Sequence, residues 1–254
     1  MSTLRAAVLG ATGRMGRLVV AEVLTAPDFT LVAAWASRAT GQDAGILSGG
    51  GAAGLAVCAP GPVAADVVID FSAPGALVAA MPHLIGRPLV CGTTGLDDSA
   101  RAALDAHART APQVVASNFS AGIAVLTRLV AEAAACLPDY DVEIVELHHR
   151  GKRDAPSGTA LALGRAAAPD RRPTHGRQGV ALRQQAEIGF HAVRLGDVVG
   201  EHTVWLAGDG ERLQLGHIAT DRRTFAAGAL RAARHLVERP PGRVALTDLF
   251  AGRP

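Results

Sequence analysis

The run Leu4-Arg-Ala-Ala-Val-Leu9, stopped by Gly10-Ala11-Thr12-Gly13-Arg14-Met15-Gly16, constrains this chain more than any other segment. An apolar stretch of strand length halts at a glycine turn. A helical pattern follows, with Met15, Leu18, Val19, Val23 and Leu24 on one face. Strand, glycine turn and helix open a βαβ unit, the context that a dinucleotide fingerprint requires. Glycine lets the chain turn sharply and lets its backbone approach a pyrophosphate with no Cβ in the way. The spacing is G-x-x-G-x-x-G, one residue off the usual G-x-G-x-x-G. By itself it reads either as a phosphate seat or as a bare tight βα turn, and its place at the head of the first unit favours the seat.

The second apolar run, Thr30 to Trp35, ends in Ala36-Ser37-Arg38, where fingerprint logic expects an acidic residue for the adenosine ribose. Two readings stay open: Ser37 and Arg38 hold a 2′-phosphate, or Arg38 is a solvated loop charge. Further short β-branched runs follow at βα spacing: Val67 to Phe71, Pro88 to Cys91 and Gln113 to Ala116. Continuous apolar runs suit parallel strands covered on both faces. Each ends in turn chemistry: Ser72-Ala73-Pro74, then Gly92-Thr93-Thr94-Gly95, then Ser117-Asn118-Phe119-Ser120. Ligands of open parallel sheets collect at such strand ends, so these turns and the glycine turn make one cofactor crevice. Ser48 to Gly54 reads as a mobile surface loop without chemistry.

The rhythm changes after residue 120. An apolar helical pattern runs from Ile123 to Cys136, then a strand from Asp141 to Leu147, then a helix from about Gly158 to Ala167. A polar connection, Pro169 to Gln178, leads to three strands near 188–194, 201–207 and 211–219, the last two joined by the hairpin signal Gly208-Asp209-Gly210. Strands without helices between them imply a mixed or antiparallel sheet with one face free to meet another subunit. Phe225 to Leu236 is a final helix that packs back onto the first layer. The expected architecture is α/β: a Rossmann-type dinucleotide-binding domain over 1–119 and 223–254, and an α+β substrate-binding and oligomerisation domain with a mixed sheet over 120–222.

Between the strand and helix of the second domain lies Glu143-Ile-Val-Glu146-Leu-His148-His149-Arg150-Gly151-Lys152-Arg153-Asp154-Ala155-Pro156-Ser157-Gly158-Thr159-Ala160. It crowds two imidazoles and several cations beside a helix N-terminus, where backbone N–H groups favour an anion. The pattern E-x-x-E-x-H-H-x-x-K-x-D-A-P-S-G-T-A resembles that of the dihydrodipicolinate reductase family. Gly10 to Gly16, Asp70 to Pro74, Gly92 to Gly95, Ser117 to Ser120, Gly196 to His202 and Phe225 to Ala229 stand in the order and spacing of the family's other motifs, so the likeness covers nearly the whole chain. It departs at Gly151, where the family often has a basic residue.

The resemblance implies reduction of 4-hydroxy-tetrahydrodipicolinate to tetrahydrodipicolinate in diaminopimelate and lysine biosynthesis, with NADPH and with NADH also accepted, by a cytoplasmic homotetramer. It implies that the substrate is a small cyclic dicarboxylate and that no metal takes part. Hydride arrives at carbon, so a proton must be supplied elsewhere; histidine titrates near neutrality, and His148 is the expected donor with Lys152 assisting. His149, Ser157, Gly158 and Thr159 are expected to bind substrate. Gly10, Ala11, Thr12, Gly13, Arg14, Met15, Ser37, Arg38, Gly92, Thr93, Thr94, Ala116, Ser117, Asn118 and Phe119 are expected to bind cofactor. His83, His107, His175, His191 and His235 read as structural, while His202 and His217 carry no assignment.

Competing readings are weaker. A two-domain reductase of the aspartate-semialdehyde dehydrogenase kind needs a reactive strand-end cysteine, for which Cys91 is the one candidate. A non-catalytic dinucleotide sensor would have no use for His148 and Lys152. A net charge of +2 with only isolated basic pairs excludes a nucleic-acid partner. No apolar stretch approaches ~18 residues, so no membrane span is expected. The three cysteines, Cys58, Cys91 and Cys136, read as buried free thiols of a reducing compartment.

Overall fold

The structure, a computed structural model, describes residues 3–250. It divides into two compact units, one holding the chain up to Ser120 and again from Arg222, the other Ala121–Asp221.

The first unit is built on a six-stranded parallel sheet. Strand β1 (Leu4–Leu9) leads through the glycine turn into helix α1 (Arg14–Thr25), and β2 (Phe29–Trp35) returns beside β1. The short α2 (Ala44–Leu47) follows, then β3 (Val67–Asp70), α3 (Pro74–Ala80), β4 (Leu89–Cys91), α4 (Asp98–Ala108) and β5 (Pro112–Val115). The order is β2-β1-β3-β4-β5, extended by β11 (Gly242–Arg243), which pairs in parallel with β5. Chain order reverses between β1 and β3, where Leu9 lies opposite Asp70. Two glycines make that junction possible. Gly10 has φ +80°, and a Cβ on it would lie 2.5 Å from the Phe71 carbonyl oxygen. A Cβ on Gly16 would lie 2.0 Å from the Gly10 carbonyl oxygen, so α1 packs backbone to backbone on the turn.

Helix α7 (Arg223–Leu236) belongs to this unit and packs on α1, β4 and β5 with Ala226, Ala229, Leu230 and Ala233 buried. A short α8 (Leu246–Leu249) follows. The 48–54 loop is not an open excursion. Asp43 caps α2 at Gly45 and Ile46 and also accepts the amides of Ala53 and Gly54, 2.9 and 2.8 Å away.

The second unit begins with α5 (Ala121–Cys136), β6 (Asp141–His148) and α6 (Gly158–Ala167). Strands β8 (Glu187–Arg194), β9 (Gly200–Gly208) and β10 (Glu211–Ala219) fall where the sequence places them. The connection after α6 holds a strand that sequence reading missed, β7 (Arg172–His175). Its Arg-Pro-Thr-His composition gives no apolar alternation, and only pairing with β8 makes it extended. The sheet is mixed, in the order β10-β9-β6-β8-β7, parallel across β6-β8-β7 and antiparallel across β6-β9-β10.

One face of β6 carries Val142, Ile144, Glu146 and His148, all buried. The first two join Ile188, Phe190, Val204 and Leu206 under α5 and α6 in an apolar core. The last two turn the same face polar at its end, and a buried charge there must be paired. The cysteines depart from expectation: Cys91 is buried, whereas Cys58 and Cys136 are exposed, and all three thiols are free. Cys58 bridges Trp35 of the edge strand β2, and Cys136 is the last residue of α5.

Candidate active site

Glu146 organises the second unit's polar end. The residue is 0% exposed. Arg194, from the end of β8, forks onto both of its oxygens at 2.9 and 2.8 Å. The backbone N–H of Ser157 donates to Oε1 at 3.1 Å, and the ring Nδ1 of His148 meets Oε2. Burial pushes the Glu146 carboxyl up, but the bonds from His148 and Arg194 outweigh it and bring it down to about 2. An ionised carboxylate only accepts, so His148 carries its proton on Nδ1 and leaves Nε2 as its working end. A Cβ on Gly200 would stand 3.0 Å from that end, so a side chain there would crowd the ring.

His202 sits opposite Glu146 in the β6–β9 register, with its ring 5.2 Å from that of His148 in an edge-to-face arrangement. Its Nε2 lies 3.0 Å from Ser157 Oγ. Burial, helped by the charge of His148, lowers its pKa to about 3, so His202 is neutral.

Ser157 was expected to offer its hydroxyl and amide to a ligand, and the structure uses both internally. Its Oγ caps α6 by accepting the Ala160 N–H at 3.1 Å and meets His202, while its N–H goes to Glu146. Ser157 therefore shapes the helix start, and Thr159 beside it is buried as well. Lys152 reaches Asp154 at 2.9 Å, and Asp154 also takes the Gly158 N–H. Burial raises the Asp154 carboxyl, yet Lys152 prevails and holds it below its ordinary range. An ammonium and a helix N–H thus converge on one carboxylate, as they would on a ligand's. His149 is half-buried beside Gly151.

In the first unit, Gly13 stands at the N-cap of α1 and offers no side chain, so the amides of the first turn, at Arg14, Met15 and Gly16, have no side-chain cap. Gly13 and Arg14 are exposed and Thr12 is half-buried, next to the Gly10-Ala11 bend. A pyrophosphate fits that cradle. Ser37 and Arg38 are exposed past the end of β2. Gly92 and Thr94 reach the surface, but Thr93 is buried with its hydroxyl on Asp70 at 2.7 Å. Ala116, Ser117 and Asn118 line the end of β5, whereas Phe119 is 1% exposed and edge-on to Phe71 at 5.7 Å. The side chains of Thr93 and Phe119 are thus part of the floor, and a cofactor can meet those residues only through backbone. Cys91 cannot serve as a nucleophile, because burial and the neighbouring Asp70 push its thiol well up. That removes the basis for a cysteine-dependent dehydrogenase.

An uncapped phosphate cradle on a parallel sheet, and in the other unit a fixed imidazole beside a lysine and a helix start, define a dinucleotide-dependent oxidoreductase of two-domain type. The chain belongs to the dihydrodipicolinate reductase family: models of the family's N-terminal and C-terminal regions match residues 4–119 and 122–250. The family uses a pyridine nucleotide to reduce 4-hydroxy-tetrahydrodipicolinate on the route to diaminopimelate and lysine. The chain is 45% identical over 261 residues to the 4-hydroxy-tetrahydrodipicolinate reductase of Rubrobacter xylanophilus, covering 99% of this chain and 100% of that one. It is 46% identical to that of Alkalilimnicola ehrlichii, covering 98% and 99%. The dipicolinate-bound dihydrodipicolinate reductase of Paenisporosarcina sp. TG-14 superposes with a TM-score of 0.74 at 26% identity, covering 97% and 99%.

Sequence reading gave Glu146, Arg194 and His202 no role. Glu146 carried a legible signal, since residues two apart on a strand share a face and Glu146 precedes His148 by two. Arg194 and His202 lie 48 and 56 residues beyond Glu146, with nothing in their local pattern to bring them there.

Proposed function

We propose that this chain reduces 4-hydroxy-tetrahydrodipicolinate to tetrahydrodipicolinate with His148 as proton donor and Lys152 as carboxylate anchor. NAD(P)H, when bound, supplies the hydride. The observation that carries this reading is the clamp on His148: a buried carboxylate fixes Nδ1–H, so Nε2 is the one position from which the ring can give a proton. Glu146 and Arg194 hold the ring, and neutral His202 keeps a second positive charge away. Lys152, with the Gly158 and Thr159 turn of α6 and His149 nearby, takes a substrate carboxylate in place of Asp154. The experiment is His148→Gln, which should cut turnover ~10²–10⁴-fold while cofactor affinity holds. Near-normal turnover at saturating substrate would remove His148 from the mechanism.

Gly10 to Met15 would hold the pyrophosphate, Ser37 and Arg38 a 2′-phosphate, and the 92–94 and 116–119 turns the nicotinamide end, giving a lean towards NADPH with NADH accepted. The outer face of the second sheet supports a homotetramer. Val193 and Ile218 are 39% and 65% exposed on it, with Leu147 and Trp205 half-buried among them. Cytoplasmic biosynthesis fits this reading, and no helix among the described residues is long and apolar enough to cross a membrane.

A further inference from the structure

Asp70 ends β3, is 0% exposed, and serves nothing described above. Among the described residues no cation pairs with it. Its partners are neutral: the Ser72 N–H at 3.0 Å, the Thr93 hydroxyl at 2.7 Å and the Cys91 thiol at 3.3 Å. Thr93 Oγ1 also accepts the Ser72 N–H at 3.0 Å, so one carboxylate knots the turn after β3 to the turn after β4. The floor around the knot leaves little slack: a Cβ on Gly92 would come within 2.2 Å of the Phe71 ring, which is braced in turn by Phe119.

Burial raises the proton affinity of Asp70 above the ordinary carboxyl range, with hydrogen bonds from Ser72, Thr93 and Cys91 pulling the other way. Among the described residues Cys91 is the one titratable side chain that meets it, and that thiol stays protonated. A buried carboxylate without a counter-ion is a site where an incoming positive charge is favoured. The strands β3 and β4 lie on the far side of the β1/β3 switch point from β2. A dinucleotide lying across such a point puts one half on each side, and the β2 side is the adenosine side.

We infer that Asp70 is a positioning residue that favours the oxidised, cationic nicotinamide, tying the 71–73 and 92–94 turns together and setting a negative potential beneath them. The inference rests on the cofactor placement proposed above. Loss of hydride turns a neutral dihydronicotinamide into a pyridinium cation, while Asp70 exchanges nothing but its own proton. A cation nearby lowers the proton affinity of Asp70. Oxidised cofactor must therefore bind the ionised carboxylate more tightly, and the NADP⁺/NADPH affinity ratio must rise with pH as Asp70 ionises. Titration of the 2′-phosphate cancels in that ratio.

Calorimetric titration of NADP⁺ and NADPH into wild type, Asp70→Asn and Thr93→Val, from about pH 5.5 to 8.5, tests this. Asp70→Asn should weaken NADP⁺ roughly five- to thirtyfold, leave NADPH within about twofold and flatten the ratio against pH. Thr93→Val cuts the knot but keeps the charge, so it should weaken both nucleotides alike and keep the pH dependence. Equal weakening of both nucleotides by Asp70→Asn, or a wild-type ratio that ignores pH, would overturn the inference. If Asp70→Asn fails to fold, the wild-type ratio decides alone. Wild-type protein that bound neither nucleotide would overturn the cofactor placement, and this inference with it.

Discussion

Asp70 and Glu146 are both carboxylates near the ends of buried strands, both 0% exposed, and their surroundings drive them in opposite directions. Around Glu146 stand a forked guanidinium and an imidazole, and these overcome burial to hold the group ionised down to about pH 2. Around Asp70 stand an amide, a hydroxyl and a thiol, and burial wins. Burial alone therefore does not decide ionisation; the charge of the partners does. The contrast assigns different work to the two. Glu146 is already neutralised and spends its bonds on orienting His148. Asp70 lacks a cation and responds to one that arrives.

The largest expected effect comes from truncating each group. Glu146→Ala leaves Arg194 without its partner beside an emptied site and should cost about 3–5 kcal/mol in urea unfolding. Asp70→Asn keeps its size and an acceptor oxygen for Thr93 but leaves one buried donor unmatched, so about 1–3 kcal/mol is expected. Equal losses would break the comparison.

Lys152 comes next. Its ammonium is paired with Asp154 at 2.9 Å. Lys152→Ala should weaken dipicolinate binding by roughly 1.5–3 kcal/mol, about 10- to 150-fold. Asp154→Asn frees the ammonium and should tighten the same ligand by roughly two- to fivefold. Calorimetry with both variants decides, and looser binding in Asp154→Asn would show that this carboxylate orients Lys152 for the ligand.

Acid exposes a third difference. His202 has a folded pKa of about 3 against 6.5 when free, so below 6.5 the unfolded chain takes up a proton that the folded chain refuses. Stability contributed by neutral His202 is complete above pH 6.5 and is lost as pH falls towards 3. Between pH 7.5 and 5 this amounts to something on the order of 2 kcal/mol. Glu146 adds its own loss only lower, between about 4.5 and about 2. Thermal melts of wild type should therefore fall across pH 7.5 to 5, and those of His202→Gln should stay flatter. Parallel melting curves would place His202 in contact with water.

The smallest effect is at Arg38, exposed and open to salt screening. Arg38→Asp should reverse an NADPH preference of roughly five- to thirtyfold, mainly through the apparent constant for NADPH. An unchanged ratio would mean that Arg38 points into solvent.

What could be read directly from the chain was local. The glycine turn after β1 is written in Gly10 and Gly16, because no other residue leaves room for the backbones that meet there. The β6 face is written as Val142, Ile144, Glu146, His148 at period two, and the start of α6 as Ser157, whose side chain caps it. These depend on neighbours a few residues away, and short-range pattern encodes them. Tertiary structure alone decided the rest. Arg194 reaches Glu146 because β8 lies parallel to β6, and His202 because β9 lies antiparallel in one register. Asp70 meets Thr93, 23 residues on, because β3 and β4 are neighbours. The same proximity turned the side chains of Thr93, Phe119 and Ser157 inward, away from the ligand contacts expected of them. Strand β7 exists only because β8 is there to pair with it. Strand order and register arise from packing many elements at once, so no single window of residues carries them.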